Sequence, residues 1–505
     1  MTKKVLTALV LFILVATPAL HAETFGAVLT GTQEAPNPVT TAGYGNATVT
    51  LDAARTTLTV EMTVSSLSAP VTNAHIHGEF PRGTAGGVKL DLAPGTNLAN
   101  GRLSRTYTID KALGDAIAAR PELFYLNVHT SANPGGEIRG QLTALDTTIR
   151  YSGELRGLNE VPPVTSNAAG SFFITLEPSN LLTFEIHTGG VVSPTNAHIH
   201  IGAAGVAGGV RVGLFSAANP FAGDRLRGQV QVPADVAADI RANPANFYVN
   251  IHSTANPGGE VRGQLVAANE YDIPVAGKVS GANGESFVSD VRIFNPSYTS
   301  RATALVEYFA RGTAANTTAT TTIAVDIAPR GTAVLNDIGS TTQLNAVGTI
   351  GAIRVASGSA LAVSSRIYDD RRARNGGTIG QYVPGIARAN ALRRGVLTQL
   401  GNDAASRTNL GVFNPNTSAV DVRFELRSQT GTLLGSGSFV VAPLSQQQNS
   451  IGSYFAGVDL SNAPALALSF DASAPVHVYG SVVDNVSSDQ IMVTAQPDPG
   501  VSANQ

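Results

Sequence analysis

Short runs in which apolar and polar residues alternate fill this chain from residue 24 onward. Gly45 to Leu51, Leu58 to Val64, Gly170 to Leu176 and Leu181 to Ile186 each read as a half-buried strand. Ala304 to Tyr308 and Val420 to Leu426 repeat that alternation in the second half. Two segments break the pattern. Asp110 is a good N-cap for a helix over Lys111 to Ala119, which Pro121 stops. Pro233 and Ala234 open a similar segment that ends before Pro244. Turn signals separate the rest, including Phe294-Asn295-Pro296 and Phe413-Asn414-Pro415. The pattern predicts an all-β protein of four tandem β-sandwich or barrel-like domains, the first two each with one short helix.

The chain also repeats itself. Ala74-His75-Ile76-His77 returns as Ala197-His198-Ile199-His200, and Leu126-Asn127-Val128-His129 as Val249-Asn250-Ile251-His252. Both copies continue with Ala-Asn-Pro-Gly-Gly-Glu and end in Arg-Gly-Gln-Leu. The three histidines and Glu137 all recur 123 positions on. Each copy opens on a Gly-x-x-Glu turn followed by proline, at Gly31 to Glu34 and Gly157 to Glu160. A second, fainter pair relates Val291 to Pro296 with Leu410 to Pro415. The boundaries that follow are a signal segment over 1–22, repeat domains over 24–145 and 149–268, a small-residue linker over 269–283, sandwiches over 284–388 and 395–495, and a disordered tail over 496–505.

Composition narrows the function classes. Lys3 and Lys4, an apolar run from Val5 to Val15 and a small-residue exit ending at Ala22 predict a secretory signal, with Ala19 as the other cleavage point. The mature chain then carries 31 basic against 36 acidic side chains, which does not suggest nucleic acid or an anionic membrane as partner. No later run is long enough for a transmembrane anchor. The chain has no cysteine, so each domain of this exported protein must hold together through its own core. A secreted, periplasmic or extracellular location follows.

Residues two apart in a strand share a face, which puts His75 with His77, Asn127 with His129 and Glu137 with Arg139. If these strands are neighbours, one polar face collects all of them, and the copy collects His198, His200, Asn250, His252, Glu260 and Arg262. The first reading of this set is a structural network of satisfied polar groups, with Asn127, Glu137, Arg139, Asn250, Glu260 and Arg262 as its core. The second is a copper or zinc site in each copy, formed by His75, His77 and His129 and by His198, His200 and His252. No nucleophile, second carboxylate or phosphate loop repeats, so no catalytic residue is assigned. His187 and His477 do not recur and are expected to be surface or locally satisfied residues. Arg371, Arg372 and Arg374 are expected in a solvated loop.

The His-x-His block, the Tyr-x-Asn-x-His strand and the Asn-Pro-Gly-Gly-Glu-x-Arg-Gly-Gln-Leu ending together resemble the CHRD domain, named for chordin, over both repeats. That resemblance implies an exported β-rich module with a binding or scaffold role. Growth-factor binding does not carry over, because the cysteine-rich modules that accompany it in the animal protein are missing here. The His-x-His strand also resembles that of copper–zinc superoxide dismutase, which points to metal alone. The second half is similar to bacterial immunoglobulin-like sandwiches. The expected function is a non-enzymatic envelope or extracellular binding protein whose partner is a protein or polysaccharide. The alternative is a copper- or zinc-binding protein with redox capacity. Tandem copies favour multivalent attachment.

Overall fold

The computed structural model describes residues 22–92, 98, 100–145, 148–216, 219–281, 284–312, 316, 319–372 and 376–499. The expected signal segment, apart from Ala22, lies outside them, as does Arg374. The protein is all-β and is organised as two compact units. Residues 148–267 form one, and residues 22–145 together with 268–499 form the other.

The two repeats share one topology. In the first, β1 (Glu23–Thr30), β2 (Tyr44–Leu51), β3 (Thr57–Ser65), β4 (Val71–His77), β5 (Val88–Asp91), β6 (Arg102–Thr108), β7 (Tyr125–Thr130), β8 (Ile138–Gln141) and β9 (Thr143–Ala144) build one antiparallel sheet. Its order is β5-β4-β7-β8-β1-β2-β3-β6, with β9 beside β1. Helix α1 (Lys111–Ala119) starts where Asp110 predicts, although the Asp110 side chain makes no capping hydrogen bond. Alternate residues enter the core: Phe25, Ala27 and Leu29 from β1, Leu58 and Val60 from β3, Ile76 from β4, Leu126 and Val128 from β7, and Ile117 from α1. Burying the larger of these side chains contributes about 1.5–3 kcal/mol each, without any disulfide.

The second repeat uses β10 (Ile149–Arg156), β11 (Ala169–Leu176), β12 (Leu181–Gly189), β13 (Pro194–Ile201), β14 (Val210–Gly213), β15 (Phe221–Ala222), β16 (Arg225–Gln231), α2 (Ala234–Ala242), β17 (Phe247–Ser253), β18 (Val261–Gln264) and β19 (Val266–Ala267). Its order, β14-β13-β17-β18-β10-β11-β12-β16-β15, matches that of the first repeat and adds one short edge strand. In both, the two histidine-bearing strands are adjacent. His75 lies opposite Asn127 and Asn73 opposite His129, just as His198 lies opposite Asn250 and Asn196 opposite His252.

The segment expected to be a linker is instead the strand Asn269–Ser280. Its small residues are core positions: Val275 and Ala276 are buried, and its ends pair with Thr349–Ser357 and Ser286–Phe294 in two different sheets. A 22-residue strand, Ala463–Asp484, plays the same part in the last sandwich. The expected tail also begins with structure, because Gln496 and Pro497 pair with Val396 and Gly395. The two Phe-Asn-Pro signals prove to be buried corners. The Asn414 amide donates to the carbonyls of Ser418, Val441 and Ala442, and Asn295 does the same to Ser300, Ile327 and Ala328.

The first repeat packs on the last sandwich through arginines. Arg393 donates to Thr48 and to the Ala47 carbonyl, Arg82 pairs with Asp421 at 2.7 Å, and Arg423 lies 3.8 Å over the Tyr44 ring.

Candidate metal centre

Strands β4 and β7 alternate as expected, so Ala74, Ile76, Leu126 and Val128 fill the core while three imidazoles meet on the other face. The His75 Nδ1 lies 3.1 Å from the His129 Nε2. The candidate ligand atoms of His75, His77 and His129 all fall within 4.8 Å of one another. Two of the three rings have a fixed tautomer. His77 Nδ1 donates to the Gly86 carbonyl at 2.8 Å, and His129 Nδ1 donates to the Pro134 carbonyl at 2.9 Å. A carbonyl only accepts, so each Nδ1 carries the proton and each Nε2 presents a lone pair inward. The His77 Nε2 is buried and has no hydrogen-bond partner.

The second repeat reproduces every one of these features. His198 Nδ1 lies 3.2 Å from His252 Nε2, His200 Nδ1 donates to the Gly208 carbonyl at 2.9 Å, and His252 Nδ1 donates to the Pro257 carbonyl at 3.0 Å. The His200 Nε2 is again buried and unpaired. Gly208 has to be glycine, because a β-carbon there would sit 1.5 Å from the Ile201 carbonyl oxygen. Burial, followed by the neighbouring imidazoles, lowers the pKa of His75 and His198, the latter to about 4. Burial also lowers His77 and His200, against their carbonyl hydrogen bonds. Neutral imidazoles are the form that binds a metal.

The donor set fits a borderline transition metal. Tetrahedral ligands at about 2.0–2.1 Å from zinc stand roughly 3.3 Å apart, close to the observed His75–His129 and His198–His252 separations. Three such ligands leave one position open.

A stacked column supports His77. The Tyr125 ring stacks on it with centroids 4.9 Å apart, and the Arg139 guanidinium sits 3.5 Å over the Tyr125 ring centre. Tyr248 and Arg262 repeat the column at 5.0 and 3.4 Å. Arg139 also donates to the Thr84 carbonyl and to Gln141, and Arg262 to the Ala203 carbonyl and Gln264.

Glu137 does not join Arg139. It precedes β8, after Gly136 at φ +127, so strand parity does not govern it. Its carboxylate accepts from the Thr41, Ser68 and Thr130 hydroxyls and from the Ser68 N–H. Burial opposes its ionisation, but these four donors prevail and hold it at about 2. Its stabilising contribution is therefore present above about pH 4.5 and is lost as pH falls through 2. Glu260 accepts from Ser166 in the same position. Asn127 and Asn250 donate at 3.3 Å to Glu34 and Glu160, in the turn that follows the first strand of each repeat.

Sequence reasoning missed the carbonyls of Gly86 and Gly208, the tyrosine columns, and Glu34 and Glu160 as partners of the asparagines. The repeated Gly-x-x-Glu turn was the signal for the last two. His187 is locally satisfied by Glu185 at 2.7 Å, whereas His477 is buried and bonded to Asp272. Arg371 and Arg372 pair with Asp369 and Asp370.

Residues 25–142 and 151–265 match the family model of the CHRD domain. Chordin of Danio rerio is 26% identical over 278 residues, covering 49% of this chain and 26% of that protein. Chordin of Xenopus laevis is 26% identical over 265 residues, covering 50% and 27%. The chain thus spans about a quarter of the length of the curated relatives it matches. A crystal structure of Thermotoga maritima 1070 matches with a TM-score of 0.19 at 10% identity, covering 22% of this chain and 97% of that one. No helix among the described residues is long and apolar enough to cross a membrane.

Proposed function

Given that residues 25–142 and 151–265 are two tandem CHRD domains, we propose that the chain is an exported binding protein in which each CHRD domain holds one copper or zinc ion. One observation carries this reading. In both copies a buried imidazole nitrogen with its lone pair turned inward, on His77 and on His200, lacks any partner. Leaving such a group unpaired costs about 1–3 kcal/mol, and a metal ion satisfies it together with its two neighbours.

The bound ion would supply Lewis acidity and an open coordination position, where a side chain of a protein partner or an oxygen of a polysaccharide could bind. The chain's own residues do the rest. Gly86 and Pro134 fix the imidazole tautomers, Tyr125 and Arg139 hold the His77 plane, and the sheet keeps the three donors on one face. Two sites on one chain favour attachment at two points. Export rests on the N-terminal lysines, apolar run and small-residue exit.

Metal titration of the full mature chain, stripped with chelator and purified without a histidine tag, tests the reading. Two Zn²⁺ or Cu²⁺ ions per chain are expected, with a raised unfolding temperature. Absence of stoichiometric uptake would leave the His75–His129 and His198–His252 contacts as plain hydrogen bonds and end the proposal.

The two sites are expected to differ. His75 coordinating through Nδ1 turns its Nε2–H toward Asp91, whose Oδ1 is 3.9 Å away. The corresponding His198 lies opposite Gly213, followed by the apolar Leu214. An outer carboxylate partner strengthens a metal-bound imidazole about 10-fold or more. A two-step isotherm is expected, collapsing toward one step in Asp91→Leu.

A further inference from the structure

Each CHRD domain buries two oxygen acceptors with nothing to accept. In the first they are Glu34 Oε1 and Asn127 Oδ1, and in the second Glu160 Oε1 and Asn250 Oδ1. Within each pair the other two atoms already meet, Asn127 Nδ2 donating to Glu34 Oε2 and Asn250 Nδ2 to Glu160 Oε2, both at 3.3 Å. The unpaired oxygens converge under a glycine. They lie 2.6 and 2.8 Å from where a β-carbon on Gly136 would stand, and the same two distances recur at Gly259. All four side chains are at least nine-tenths buried.

Two facing acceptors in a dry site repel unless something stands between them. A cation is a poor candidate, because the guanidinium of Arg139, or Arg262 in the second copy, already acts on the carboxyl. One proton resolves both orphans at once. We propose that Glu34 and Glu160 are neutral carboxylic acids, each closing a ring of two hydrogen bonds with Asn127 or Asn250, and that this clasp holds the Asn-Pro-Gly-Gly turn of its domain until it ionises. In that ring the acid O–H donates to the amide oxygen and the amide N–H donates to the acid carbonyl. The inference goes beyond the metal reading and stands whether or not the tripods bind metal.

The surroundings agree. Burial raises both carboxyls from 4.5 to about 7, against the asparagine hydrogen bond and the arginine charge. The Ala35 backbone also opposes the rise at Glu34. Each arginine acts on its glutamate through charge, and no hydrogen bond among the described residues joins the two. Arg139 donates to the Pro81 and Thr84 carbonyls and to Gln141 while lying on Tyr125, and Arg262 donates to the Ala203 carbonyl and Gln264 while lying on Tyr248. Glu137, at the other end of the turn, is occupied by its hydroxyl donors. A folded-state pKa raised this way gives stability that is complete below about pH 4.5 and lost as pH rises through about 7.

The clasp and the tripod share one turn. Its Pro134 carbonyl orients His129, and its Gly136 covers the Glu34–Asn127 pair. Ionisation of Glu34 therefore loosens the segment that carries an imidazole's partner.

Infrared spectroscopy of the full chain labelled with carboxyl-¹³C glutamate tests this, since the label excludes the aspartates. At about pH 6.5, where an ordinary glutamate is ionised, a labelled C=O band of a protonated carboxyl is expected, titrating away near neutrality. Glu34→Gln and Glu160→Gln should each remove about half of it, and the double variant all of it. Glutamine keeps both hydrogen bonds of the ring, so these variants retain the fold. A spectrum without the band at that pH overturns the proposal, as does a band that survives in the double variant. Neither result bears on metal uptake.

Discussion

His77→Ala is expected to cut the metal content of the chain from two ions to one, and His200→Ala to do the same from the other side. Each substitution removes a proposed ligand whose outward nitrogen is pinned to a glycine carbonyl and whose inward nitrogen has no hydrogen-bond partner. Losing a supporting partner already weakens a metal site by about 10–100-fold, and losing one of three ligands exceeds that. The remaining pair in the first domain, His75 and His129, is then free to form its 3.1 Å hydrogen bond, so the fold survives the loss. Metal analysis after dialysis reads the effect, and the double variant should bind nothing. Acid should act in the same direction, because protons compete for the imidazoles, and since burial lowers them metal is released only as pH falls below the ordinary histidine range. If His77→Ala retained both ions, the tripod would not be the binding site.

The histidine set was legible in the sequence because strands obey a strict period of two. His75, His77 and His129 needed nothing beyond β4 and β7 being neighbours, and they are. The same rule failed for Glu137, which stands in a glycine turn before its strand begins. It was silent about Glu34, whose partner Asn127 is 93 residues away and is brought to it by the β7-β8-β1 sheet order. The presumed linker misled for a different reason. Small residues such as Val275 and Ala276 suit both a loop and a close-packed strand, and burial decides between them. Strand alternation likewise showed that the second half was β-rich, but it held no sign that the two sandwiches are joined by buried charge.

Asp272→Ala is expected to destabilise that second half by about 3–5 kcal/mol, the usual penalty for stranding a buried charge. Asp272 accepts from Arg354 Nε at 2.9 Å and contacts His477 Nε2 at 3.1 Å, with the Asp272 and Arg354 side chains wholly buried. Burial alone would raise the Asp272 carboxyl, but Arg354, then His477, holds it well below the ordinary aspartate range. The contribution is therefore present above about pH 4 and lost on acidification. These residues come from both sandwiches: Asp272 and Arg354 lie in the first, His477 in the second, and Arg354 also reaches the Pro415 carbonyl. Phe309 and Phe413 pack beside them, with ring centroids 5.9 Å apart. The wild-type sandwiches should thus unfold together in urea, and Asp272→Ala should split or advance that transition. Removing both charges, in Asp272→Leu with Arg354→Met, should recover part of the loss, because it also removes the guanidinium that Asp272→Ala leaves with only Glu270, 3.7 Å away, as a carboxylate partner. A single-substitution loss below about 1 kcal/mol, in the range of an exposed ion pair, would mean that water reaches the cluster and that buried charge does not join the two sandwiches.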